Sequence, residues 1–202
     1  MARDVDEFRC SADELARLGE EQAAPVWHGV GRLFRAWARA VGGEDAAQRG
    51  ADSLAALGIA GSTGNLAVAP FLMWCHADTL RLAGRQVEAL DFTGGALAIS
   101  AQIRQPFYDA ELHRSRGDLL LAVDGHTEAD AEASYQRALE IARSQGARSF
   151  ELRAATSLAR LWQRQGKHRE ARDLLAPVCA LFTEGLETLD LIEAKTLLAE
   201  LG

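Results

Sequence analysis

Apolar residues recur along this chain at helical spacing, three and four apart, in blocks long enough for helices. The last block, an amphipathic helix, carries Leu189, Ile192, Leu197, Leu198 and Leu201. The blocks predict helices over about 25–41, 44–57, 66–82, 86–103, 108–123, 127–145, 150–165, 168–182 and 189–201. One more precedes them in "DVDEFRCSADELARLGEE", over 4–21. No run alternates with the period of a strand. "GIAGSTGN", at 58–65, reads as an interhelical loop.

The helices fall into pairs at a nearly constant interval. Gly42 precedes Ala47, Gly84 precedes Ala89, Gly125 precedes Ala131 and Gly166 precedes Ala171. The marker alanines are 42, 42 and 40 residues apart. Glycine is suited to end the first helix of each pair in an unusual backbone conformation. A small residue early in the second helix permits a close crossing. Seven residues after the markers, Leu54, Ala96, Ala138 and Val178 predict a continuation of the same buried face. A single pair cannot bury its own apolar faces, so the pairs must stack. "LARLWQRQGKHREARDLLAPV", Leu158 to Val178, is then the fourth pair, with Trp162 and Leu175 in its core and Lys167, His168 and Arg169 on an exposed turn. Pro177 should kink its second helix. Stepping back one interval from Ala47 reaches Val5, so the first helix occupies a second-helix position with no first helix before it.

This unit resembles the tetratricopeptide repeat. Ala131, Tyr135 and Ala138 match its second helix, with Gly117 and Leu120 in the helix before. Ala159, Trp162, Ala171 and Leu175 match in the fourth pair. The stretch from "PFYDAELHRSRGDLLLA" onward is similar, more narrowly, to the C-terminal repeat region of large bacterial signalling proteins. Those proteins join a class III nucleotide cyclase, or another effector, to a predicted ATPase. The resemblance implies an all-α fold: a right-handed solenoid of antiparallel helix pairs with about ten helices, running through 1–202 as one domain. Its parts are an orphan helix (1–22), repeats at 25–62, 63–105, 106–147 and 148–185, and a capping helix (187–202). It also implies a regulatory, interaction-bearing segment, with the first helix of each pair lining a concave groove. Carried over position by position, the groove residues are Arg32 and Arg39; Trp74, Asp78 and Arg81; Glu111, Arg114 and Asp118; and Arg153, Arg160 and Arg164.

Composition narrows the partner. The net charge is −7 over 202 residues, which disfavours general nucleic-acid binding. The groove nevertheless gathers arginines, whose forked donors suit carboxylates, so the expected partner is a protein or peptide offering an acidic or C-terminal segment, with Trp74 as an apolar anchor. The competing reading pairs these arginines with neighbouring Glu and Asp on a solvated face. No apolar run reaches the length of a membrane span. The charged N-terminus does not read as a signal peptide. Cys10, Cys75 and Cys179 stand apart as reduced, mostly buried thiols, which points to a cytoplasmic protein.

Chemistry is not expected. "GIAGSTGN" lacks the lysine and the preceding strand of a phosphate-binding loop. His28, His76, His113, His126 and His168 show no metal-ligand spacing, and Cys75 and His76 are adjacent and so diverge on a helix. No catalytic set, metal or other cofactor is expected. The leading expectation is a non-catalytic interaction scaffold in bacterial signalling. The alternatives are a solenoid that senses a small ligand or peptide by changing curvature, an enzyme of unrecognised type, or a truncated product.

Overall fold

Among the described residues the apolar blocks become ten α-helices, and none lies in a strand. The computed structural model describes residues 2–62, 64, 66–185 and 187–202, excepting the side chains of 2–4 and 46. Contacts divide the chain into two compact units, Met1–Gln105 and Pro106–Gly202.

The first unit holds α1 (Ala2–Glu21), α2 (Pro25–Val41), α3 (Ala46–Gly61), α4 (Ala69–Leu82) and α5 (Gln86–Ile103). Helix α2 packs against α1, α3 and α4, and α4 packs against α3 and α5. Two glycines set the approach of α2 to its neighbours. A Cβ on Gly31 would stand 2.4 Å from the Ala16 nitrogen of α1, and one on Gly29 would stand 2.5 Å from the Ala60 nitrogen of α3. Backbone meets backbone there, and no larger residue fits.

That contact also explains a correction. Residues 58–61 of "GIAGSTGN" are not loop: α3 continues through them, because Ala60 must reach Gly29. Glycine tolerates a helix interior at a cost of about 1 kcal/mol, which a well-packed crossing outweighs. Helix α4 begins at Ala69, three residues later than expected, and α6 ends at Leu120.

The marker alanines hold one common position in three helices and depart from it in α3. Ala89, Ala131 and Ala171 each sit four residues beyond the residue preceding their helix, and all are fully buried. The first pair departs because Gly42 stays right-handed at φ −72° and Gly43 takes φ +85°. Asp45 then starts α3 by accepting the Ala47 and Gln48 N–H groups at 3.1 and 3.3 Å. Ala47 is exposed, Leu54 is 51% exposed, and Ala56 takes the buried place equivalent to Ala96, Ala138 and Val178.

The second unit opens on a 3-10 turn, Pro106–Tyr108. It continues with α6 (Asp109–Leu120), α7 (Glu128–Gln145), α8 (Arg148–Arg164), α9 (His168–Ala180) and α10 (Leu189–Glu200). Helix α8 is central and packs against α6, α7, α9 and α10. Its core is Leu112, Leu119, Tyr135, Leu152, Leu158, Leu161, Leu175 and Leu191. Each buried leucine contributes about 1.5–3 kcal/mol, against about 0–1 for an exposed ion pair, so these contacts dominate stability. Trp162, expected in the core, is only half-buried, and its indole N–H donates to Glu132 at 2.9 Å. Thr127 and Asp130 form a reciprocal cap at the start of α7. Pro177 lies in the last turn of α9, which ends three residues later.

Candidate functional site: a charged face on the second unit

Helical spacing builds this face. On α6, Glu111, Arg114 and Asp118 are three and four residues apart; on α8, Arg153, Ser157, Arg160 and Arg164 follow the same rule. Helix α10 adds Asp190 and Glu193.

Arg114 is the hub. Its Nε and Nη2 donate to Glu111 Oε1 at 3.0 and 2.7 Å, and its Nη1 donates to Asp118 Oδ2 at 2.5 Å. Asp118 also accepts the Tyr135 hydroxyl at 2.7 Å. Burial works against the Arg114 cation, but the two flanking carboxylates outweigh it and raise its pKa further. Burial, with Asp118 alongside, likewise holds the Tyr135 phenol protonated. The hub is therefore a fixed structural element.

Helix α8 is engaged more loosely. Arg153 Nε donates to Asp190 at 2.6 Å, and Arg160 Nη2 donates to Glu193 at 3.2 Å. Arg164 is exposed and pairs with no carboxylate among the described residues. Three clefts adjoin this stripe. One of about 240 Å³ lies against Glu111, Arg114, Arg153 and Asp190. One of about 270 Å³ is lined by Asp118, Tyr135, Arg160 and Arg164. One of about 340 Å³ is lined by Arg160, Arg164, Ile192 and Glu200.

The first unit does not present the groove residues in the expected way. Trp74 is only 8% exposed and stacks in a cluster with Phe8, Phe34, Trp37 and Phe71, at centroid distances of 5.5–6.2 Å. Its surface is spent on these rings, so it is a core residue and not a partner's anchor. Asp78 accepts the Trp37 indole N–H at 2.8 Å and Arg81 Nε at 2.7 Å. Arg39 lies 3.8 Å from Glu44 in the following turn. Arg32 is half-buried on α2.

Residues with familiar chemistry are sealed. Ser53 Oγ and His76 Nδ1 are 2.6 Å apart, and His76 packs edge-on to Phe92. Both are buried, so a nucleophile and base here would meet no substrate. Burial, with Arg85 nearby, lowers the His76 pKa to about 4. Burial also raises the Cys75 thiol, which disfavours the reactive thiolate. Cys179 is buried as well, and Cys10 is exposed. Among the described residues no group of three or more His, Cys, Asp or Glu could hold a metal ion, and no helix is long and apolar enough to cross a membrane.

No family model matches the chain. A stretch of 164 residues, covering 77% of the chain, is 32% identical to an uncharacterised protein of Rhizobium meliloti (strain 1021). The chain spans 15% of that protein's length.

Sequence reasoning located the arginines of α8 and missed their partners. Asp190 and Glu193 lie three apart on a helix that reads as a cap, and only tertiary packing brings them to Arg153 and Arg160. Ser53 is likewise silent in sequence, because its partner stands 23 residues away on another helix.

Proposed function

We propose that the chain is a non-catalytic scaffold of tetratricopeptide-like helix pairs, a right-handed solenoid that serves bacterial signalling by binding an acidic protein segment along α8. The observation that carries this reading is the stripe of Arg160 and Arg164. Arg164 has no carboxylate partner among the described residues, and Arg160 commits one nitrogen to an exposed glutamate. Exposed ion pairs are worth about 0–1 kcal/mol, so an incoming carboxylate can displace Glu193 at little cost. The adjoining clefts add Ile192 and Leu197 as apolar contacts for the same segment.

The recurrence of a buried alanine at one place in α5, α7 and α9 supports the repeat architecture. The alignment with a small part of a much longer bacterial protein supports a module that works within a larger machine. Arg114 belongs to the scaffold and not to the binding surface. The test is affinity capture from the native cell with the wild type and with Arg160→Ala/Arg164→Ala. An acidic partner retained only by the wild type supports the reading, and equal retention by both overturns it.

A further inference from the structure

We infer that the cleft lined by Glu111, Arg114, Arg153, Ser157, Arg160 and Asp190 binds a small zwitterion, a free α-amino acid. This goes beyond the scaffold reading and does not depend on a protein partner.

The first observation is an unmet valence. Glu111 is 2% exposed, and its Oε1 accepts both donors of Arg114. Glu111 belongs to the cleft wall, and its Oε2 is equally buried and accepts no hydrogen bond from any described residue. Arg153 Nη1 stands 4.0 Å away, beyond hydrogen-bonding reach. A buried carboxylate oxygen without a donor is costly, and a group that supplies one gains that energy on binding. An ammonium is compact and carries three donors, which suits this position.

The second observation is charge balance. Glu111, Asp190 and Glu193 line the same cleft as Arg114, Arg153 and Arg160. Inside this cleft a net anion is opposed by Glu111 and Asp190 and a net cation by the arginines of α8. A ligand with both charges is opposed by neither. Arg153 is bound through Nε and Arg160 through Nη2, so each keeps further N–H donors for a carboxylate. Arg153 Nη1, 4.0 Å from Glu111 Oε2, is one of these donors.

The third observation is size. The cleft holds about 240 Å³, below the roughly 300–1,000 Å³ of pockets for larger ligands. Its surface is mainly polar, with the Ser157 and Thr156 side chains in the wall. A single amino acid is the scale of ligand that fits.

The test is thermal denaturation of the full chain with each of the twenty free L-amino acids at millimolar concentration. The expected result is a saturable rise in melting temperature with at least one of them. The corresponding N-acetyl derivative, which lacks the ammonium, and the amide, which lacks the carboxylate, should give no rise. Those two derivatives also represent the ends of a partner chain, so stabilisation by either one alone overturns the free amino acid as ligand. Absence of any rise across the twenty overturns the site. Glu111→Gln should abolish the response. Should that variant fail to fold, the derivative series still decides.

Discussion

Gly117 shows how much one residue can carry. A Cβ at this position would lie 2.4 Å from the Tyr135 ring, and that ring is held in place by its hydroxyl on Asp118. Gly117→Ala should therefore destabilise by about 1–3 kcal/mol through overpacking, measured by chemical denaturation. The small residue late in one helix and the large residue in the next were both legible in sequence. Ser53 and His76 carry no such pattern, yet they set a pH dependence. His76 has a folded pKa of about 4 against an ordinary 6.5, because burial disfavours its cation. The unfolded chain thus takes up the proton first as pH falls. Stability from this group is full above pH 6.5 and is lost as pH drops toward 4, by about 3 kcal/mol. Urea midpoints between pH 4 and 7 measure the slope, which His76→Asn should flatten.

At the scale of elements, apolar periodicity was enough to find every helix, and it failed where glycines cluster. The doublet Gly42–Gly43 hid the register of α3, and Gly58 and Gly61 concealed its last turn. The first is decided locally, by the Asp45 cap on Ala47 and Gln48, and the second by a tertiary contact, the crossing of Ala60 with Gly29. The face formed by α6 and α8 was legible from spacing, but the rank of its members was not. Arg114 reads like Arg160 in sequence, and only burial separates them. Removing Arg114 leaves the Glu111 carboxylate buried and uncompensated. Arg114→Ala should cost about 3–5 kcal/mol, whereas Arg160→Ala should cost under about 1 kcal/mol. A pair of denaturation curves distinguishes hub from surface.

At the scale of the molecule, the division at Gln105/Pro106 means that each unit owns a core. Leu33, Cys75, Leu80 and Ala89 belong to the first, and Leu112, Tyr135, Leu158 and Leu175 to the second. A fragment of 106–202 should hold its helical circular dichroism and melt cooperatively by itself; a non-cooperative melt would show that its core needs the rest of the chain. The central claim is that the α8 stripe receives carboxylates. Its most direct measurement is a fluorescence-anisotropy titration of a labelled glutamate-rich peptide against the full chain at low and physiological salt. The account predicts saturable binding that weakens with salt, and a loss of roughly tenfold or more, about 1.4 kcal/mol, in Arg160→Ala/Arg164→Ala. Equal affinity in the wild type and the double variant, or no binding by the wild type at low salt, would contradict it.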